Sequence, residues 1–266
     1  MNNQPIGIYD SGVGGLSVLI ELKKLLPKES FVYVADQKYV PYGGKTTKQL
    51  HKLSSAIVSF LLSRKVKVIV IACNTSTVHS VLFLRKKFSL PIIGTVPVIK
   101  TLANITKTKR VVVFSTPATA KSKYLTKLID KFAKGIKVFK IGGTGLEELI
   151  EKGDINSDRI KQTLKKILLP LRKRRIDAIA LGCTHYPFLR KHVEALVGDT
   201  MQIVDSGGAV ARRTRFILEN NKILANKKGK DYYYTTGDKN KFKKALNSLL
   251  GEEKRNVSKL DLKVDL

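Results

Sequence analysis

Short apolar runs recur along the chain, separated by stretches whose apolar residues follow helical spacing. Residues 6–9 form the first run, which ends in Asp10-Ser11-Gly12-Val13-Gly14-Gly15, and Leu16, Leu19, Ile20 and the segment 23–26 then follow a helical period. A second run at 31–35 is followed by a loop with Pro41-Tyr42-Gly43-Gly44, a helical stretch at about 47–63 and a strand of the buried type at 66–72. Further strands are predicted at 92–93, 110–114, 137–141, 178–181 and 202–204. Apolar strands alternating with helices predict an α/β protein with mostly parallel sheets flanked by helices.

The pattern partly repeats. Val68-Ile-Val-Ile-Ala-Cys73-Asn74-Thr75 and Asp177-Ala-Ile-Ala-Leu-Gly-Cys183-Thr184-His185 both run an apolar strand into a cysteine, 110 residues apart. Ile6-Gly-Ile-Tyr-Asp10-Ser11 and Val111-Val-Val-Phe-Ser115-Thr116 both run a strand into a hydroxyl, at nearly the same separation. Two similar α/β domains are therefore expected, related by a pseudo-twofold, with their strand-end loops facing an active site in a shared interdomain cleft. The first domain is placed at 1–93 plus 207–266 and the second at 94–206. The charged tail after Gly251 is expected to fray.

Composition narrows the classes. With 266 residues and 43% hydrophobic content the chain can bury a large core. The 50 Lys+Arg against 21 Asp+Glu give a formal net charge of +29, which points toward an anionic partner without choosing among nucleic acid, membrane surface and small acid. The excess is mostly lysine, spread along the chain; aromatics are 7%, Trp is absent, and the basic runs 172–175 and 227–230 have no RNA-binding signature. A solvated lysine surface with no specific nucleic-acid partner is expected. No apolar run approaches the ~18 residues of a membrane span, and the start has no secretory signal. A cytoplasmic protein with reduced thiols follows as the expectation, and no regulatory N-terminal extension is expected before the first strand.

Cys73 and Cys183 are the most informative pair. Each closes an apolar strand where open α/β sheets place ligands, and each is followed by polar side chains, Asn74-Thr75 and Thr184-His185. Either cysteine alone could be a small buried hydrophobe. A redox pair would more commonly be Cys-x-x-Cys, and a zinc site lacks ligand spacing, with His79, His185 and His192 the nearest candidates. Two chemistries stay open: a nucleophilic cysteine with His185 as base, and a two-base proton transfer between facing thiols.

Several motifs taken together resemble the glutamate racemases of the aspartate/glutamate racemase family. They are Asp10-Ser-Gly-Val-Gly-Gly-Leu-Ser-Val18, Val40-Pro-Tyr-Gly43, Ala72-Cys-Asn-Thr75, Thr116-Pro-Ala-Thr119 and Leu181-Gly-Cys-Thr-His-Tyr-Pro-Phe-Leu189. The resemblance covers roughly residues 6–215. It implies cofactor-independent interconversion of L- and D-glutamate, supplying D-glutamate for peptidoglycan. It further implies that Cys73 takes the α-proton of the D-enantiomer and Cys183 that of the L-enantiomer, with Asp10 and His185 as auxiliary groups. The implied substrate contacts are Asp10, Ser11, Tyr42, Gly43, Asn74, Thr75, Thr119, Thr184 and His185. The partner is then a small-molecule substrate, with no metal and no membrane, and a homodimer stays open. Aspartate racemase is the alternative within the family, and a basic nucleic-acid-binding protein is the alternative outside it.

Other glycine-rich stretches carry less. Gly43-Gly-Lys-Thr46 lacks the first glycine of a phosphate loop, with Tyr39 in its place, and Gly12-Val-Gly14 and Gly142-Gly-Thr-Gly145 lack the third glycine of a dinucleotide fingerprint. Two segments depart from the family pattern, Gln37-Lys-Tyr-Val-Pro41 and Ile141-Gly-Gly-Thr-Gly145, which leaves the role of Glu151 open. Asp205-Ser-Gly207 is read as a domain-crossing segment, and His51, His79 and His192 as helix-surface or packing residues.

Overall fold

The computed structural model describes residues 1–95, 98–199 and 201–266. The chain divides into two compact units, Met1–Val96 with Gly207–Leu266, and Pro97–Ser206. Each unit has its own sheet.

In the first unit β1 (Ile6–Asp10), β2 (Phe31–Ala35) and β3 (Val68–Ile71) are buried at every position, so their sequences run continuously apolar instead of alternating. They are linked by α1 (Leu16–Leu25) and α2 (Thr47–Ser63), and α3 (Asn74–Lys87) leads on to β4 (Ile92–Gly94). The start of α2 is fixed by a reciprocal cap. The Gln49 amide donates to the Thr46 hydroxyl at 3.2 Å and the Thr46 amide to the Gln49 side chain at 2.9 Å, satisfying two donors the helix cannot pair. Below it, Ile57, Val58 and Leu61 pack with Tyr9, Val32, Val34, Ile69 and Ile71, while Leu50 and Leu53, nearer the helix start, pack with Tyr42 and Cys73.

The second unit runs α4 (Ile99–Ile105), β5 (Arg110–Ser115), α5 (Pro117–Lys121), α6 (Lys123–Phe132), β6 (Lys137–Gly142), α7 (Leu146–Glu151), α8 (Asp158–Leu168), β7 (Ala178–Leu181), α9 (Arg190–Val197) and β8 (Gln202–Val204). The chain then re-enters the first unit with α10 (Gly207–Asn220), β9 (Tyr232–Thr235), α11 (Lys239–Leu250) and β10 (Asn256–Lys259).

The strand orders are β10-β9-β2-β1-β3-β4 and β6-β5-β7-β8, and the paired strands are parallel throughout. Within them, β2-β1-β3-β4 and β6-β5-β7-β8 are one topology used twice. In each, the connections turn from one side of the sheet to the other between the first and third strands, so the loops diverge at those strands' carboxyl ends and leave a crevice there. That is where Asp10 and Cys73 lie in one unit, and Ser115 and Cys183 in the other.

The C-terminal segment corrects the sequence reading. Instead of fraying, residues after Gly251 form β10, in parallel register with β9 from Asn256↔Tyr232 to Lys259↔Thr235, and the Leu260 amide donates to Thr235 O at 2.8 Å. Its apolar content, Val257 and Leu260, is buried, but the charged neighbours mask the pattern.

At the opposite, amino end of the first sheet, Lys67 interrupts an apolar run for a reason the structure supplies. Its ammonium lies 2.7 Å from the Glu29 carboxylate, both side chains being 2% exposed or less, and donates to Asn2 O and Ile223 O. Glu29 also accepts from the Ala225 amide, so one buried ion pair ties together four chain segments, at Asn2, Glu29, Lys67 and Ile223–Ala225. Among the described residues no helix is long and apolar enough to cross a membrane, and no cluster of His, Cys, Asp and Glu is placed to hold a metal ion.

Candidate active site

In the first unit, β1 delivers Asp10 fully buried at its carboxyl end, where the Gly12 amide donates to its Oδ1 at 2.9 Å. The turn that follows is tight for a physical reason. A Cβ at Gly15 would lie 2.6 Å from Asp10 Cβ and 2.8 Å from Ala72 Cβ, so glycine lets the first turn of α1 close against the end of β3. Tyr33 on β2 holds the same turn by donating to Gly12 O at 2.8 Å.

Cys73 stands at the N-cap of α3 with 6% exposure, its sulfur accepting from the Ser76 amide at 3.5 Å and lying 3.7 Å from Ser11 Oγ. Burial pushes this thiol up to about 12, with the Asp10 carboxylate adding to the rise; the Ser76 and Ser11 contacts pull the other way and do not prevail. At neutral pH Cys73 is therefore a thiol, equipped to donate a proton.

The second unit is arranged differently. Cys183 Sγ lies 3.5 Å from His185 Nδ1, and His185 Nε2 lies 2.7 Å from Glu151 Oε1. Burial works against charge on the imidazole, but Cys183 on one side and Glu151 on the other outweigh it, and the His185 pKa stands well above its ordinary value. The result is a protonated imidazole between a sulfur and a carboxylate, the environment in which a cysteine acts as a base.

The family model for Asp/Glu/Hydantoin racemases matches residues 22–214, a span holding both cysteines and the whole of the second unit. The chain belongs to that racemase family. It is 42% identical over 238 residues to the glutamate racemase of Deinococcus radiodurans, covering 88% of this chain and 82% of that protein. Among solved structures it resembles a glutamate racemase isoform of Bacillus anthracis, with a TM-score of 0.86, 32% identity and 100% coverage of both chains. It also resembles the Escherichia coli glutamate racemase in complex with L-glutamate and the activator UDP-MurNAc-ala, with a TM-score of 0.87, 33% identity and coverage of 98% and 99%.

Within this racemase fold the remaining motif residues fall at the carboxyl edge of one sheet or the other. Asn74 and Thr75 open α3 beside Cys73, and Thr184 is buried between Cys183 and His185. Thr119 lies on α5 just past β5, its hydroxyl 3.0 Å from that of the capping Thr116. Tyr42 packs with Cys73, but its hydroxyl donates to Asp36 Oδ2 at 2.5 Å, and Asp36 also accepts from Thr236. The Tyr42 phenol is thus held by Asp36, beside Cys73.

Of two carboxylates beside this motif, the sequence reading left the role of Glu151 open and missed Glu147. Glu147 and Glu151 are one helical turn apart on α7; Glu147 accepts from the Tyr186 hydroxyl at 3.0 Å and Glu151 meets His185, so adjacent residues of the Cys-Thr-His-Tyr motif are each held by a carboxylate. The signal was the i, i+4 spacing itself. The glycines before α7 explain how it comes so close. A Cβ at Gly142 would lie 2.8 Å from Pro117 Cα, one at Gly143 2.7 Å from Tyr186 Oη, and Gly145 has φ +78°. The other histidines play packing roles: His51 stacks on Phe83 with ring centroids 4.0 Å apart, His79 bonds Thr47, and His192 lies 2.9 Å from Ile155 O.

Proposed function

We propose that this protein is a cofactor-independent glutamate racemase in which Cys183 and Cys73 exchange protons with the α-carbon. In the L-to-D direction the Cys183 thiolate takes the α-proton: the carbon–hydrogen bond breaks, its electron pair stays on carbon, and an S–H bond forms. The Cys73 thiol then gives its proton to the opposite face, leaving Cys73 as the thiolate. In the D-to-L direction the roles reverse, and His185 and Asp10 move the protons that reset the pair. The observation that carries this reading is the asymmetry of two topologically equivalent thiols. One stands beside a carboxylate and is held protonated, while the other stands beside a protonated imidazole.

Without an electron sink, charge developing on the substrate carboxylate needs fixed donors. The helix start after Cys73 and the Ser11–Gly15 turn are suited to that. Ser11, Tyr42-Gly43, Asn74, Thr75, Thr119, Thr184 and His185 are the proposed substrate contacts. The product would serve peptidoglycan synthesis in the cytoplasm, where both cysteines stay free. The basic surface acts as a background field and not as a specific nucleic-acid site.

The test is to incubate the purified, reduced protein with L-glutamate alone and follow enantiomer composition by chiral chromatography. The expected outcome is approach to the racemate, from L- and from D-glutamate alike, with aspartate left unconverted. A folded, reduced sample that leaves both enantiomers unchanged overturns the proposal, and faster conversion of aspartate shifts it to the sister activity.

A further inference from the structure

Behind Cys73 lies a group of hydroxyls that the chemistry above does not use. Tyr9 Oη is 2.8 Å from Ser76 Oγ, Ser76 Oγ is 3.0 Å from Ser54 Oγ, and Ser54 donates to Ser80 Oγ at 3.3 Å. All four residues are 0% exposed. They come from three elements: Tyr9 from β1, where it immediately precedes Asp10, Ser54 from α2, and Ser76 and Ser80 from α3. Tyr9 shares a hydrophobic core cluster with Ile57, Val58, Ile69, Ile71 and Leu84. A buried hydroxyl stabilises nothing unless it is partnered, so four of them bonded to one another fix a single arrangement where an all-apolar core would tolerate sliding.

Ser76 is the residue that matters in this chain. Its side chain is anchored by Tyr9 and Ser54, and its backbone amide donates to the Cys73 sulfur. We infer that Tyr9, Ser54 and Ser76 are positioning residues for Cys73: they lock the first turn of α3 so that the Ser76 N–H is aimed at the sulfur and favours its thiolate. Their influence reaches Cys73 through that one amide and does not extend to Cys183, whose partners His185 and Glu151 lie in the other unit. The inference deepens the proposed function, because a thiol that must act as acid in one direction and base in the other needs its thiolate form made accessible.

The experiment uses the Cys183→Ala protein, in which Cys73 is the sole cysteine. The rate of Cys73 alkylation by iodoacetamide at one fixed pH is measured in that parent and after Tyr9→Phe, Ser54→Ala or Ser76→Ala, with folding checked by circular dichroism. Tyr9→Phe and Ser76→Ala should each slow alkylation by about threefold or more, the scale of a weakened hydrogen bond to a charged group. Their double variant should be no slower than the slower single, since both act through one hydroxyl. Ser54→Ala, whose hydroxyl makes the longer bond to Ser76, should slow it less, and it decides the matter if Tyr9→Phe does not fold.

A merely structural role lowers the melting temperature but leaves the alkylation rate of the folded protein unchanged, or raises it by loosening the site. Rates equal to or above the parent's in folded variants overturn the inference, as do additive losses in the double variant. Alkylation needs no turnover, so the result stands whether or not glutamate is racemised.

Discussion

Replacing Glu151 by Gln removes one negative charge from His185 while keeping an oxygen able to accept the same hydrogen bond. The bond it weakens is 2.7 Å long, between side chains 9% and 17% exposed, so solvent screens it little. Charge-assisted bonds of this kind contribute ~1.5–3 kcal/mol, which corresponds to a rate loss of about 10- to 150-fold if all of it falls on the proton-transfer step. The His185 pKa must fall, because one of the two partners that hold it up has become neutral. In the parent this raised pKa contributes stability that is fully present below the unfolded histidine value of ~6.5 and is lost as pH rises through the folded-state value. Glu151→Gln should therefore reduce the difference in denaturation midpoint between mildly acidic and alkaline solution. An NMR titration of the four imidazoles should place the whole shift on one of them, with His51, His79 and His192 unmoved. An unshifted His185 midpoint, or an unchanged pH dependence of unfolding, refutes the carboxylate–imidazole–thiol reasoning.

Asp10→Asn removes the carboxylate that adds to the effect of burial on Cys73, so its thiol should drop below about 12 and react faster with iodoacetamide in the Cys183→Ala background; an unaltered rate contradicts the assignment. Lys67→Met leaves Glu29 charged and buried without its partner, and urea unfolding should show a loss of ~3–5 kcal/mol, much of which the double variant Lys67→Met/Glu29→Leu recovers. Gly15→Ala puts a methyl group 2.6 Å from Asp10 Cβ, and should cost ~1–3 kcal/mol of stability together with most of the turnover. A Gly15→Ala protein as active and as stable as the parent would show that the turn is not held against β3.

The strands were legible through β8, most clearly β1, β2, β3 and β7, because parallel strands buried at every position announce themselves as unbroken apolar runs. The C-terminal strands β9 and β10 were not. β9 is a run of three tyrosines and a threonine, and only Val257 and Leu260 carry the burial of β10, so charged neighbours hide the period. The placement of both cysteines at strand ends was legible as well, since the strand-to-cysteine junction repeats. Their environments were not, because Glu151 reaches His185 from 34 residues away and the approach depends on backbone packing at Gly142 and Gly143. Tyr42 shows the reverse case. Its motif marked it as a ligand residue, yet its hydroxyl is committed to Asp36, a partnership no local pattern announces.

The central claim is that two different thiols serve the two faces of one carbon, and the fate of the α-hydrogen tests it most directly. Racemisation of L-glutamate is run in D2O and stopped after a small fraction has reacted, and both enantiomers are then analysed for deuterium. Because the acid that completes the reaction is Cys73, already exchanged with solvent, the account predicts D-glutamate carrying deuterium at the α-carbon from the first turnovers, while the remaining L-glutamate stays protiated. D-glutamate that retains the substrate hydrogen would mean that one group serves both faces, and would contradict it.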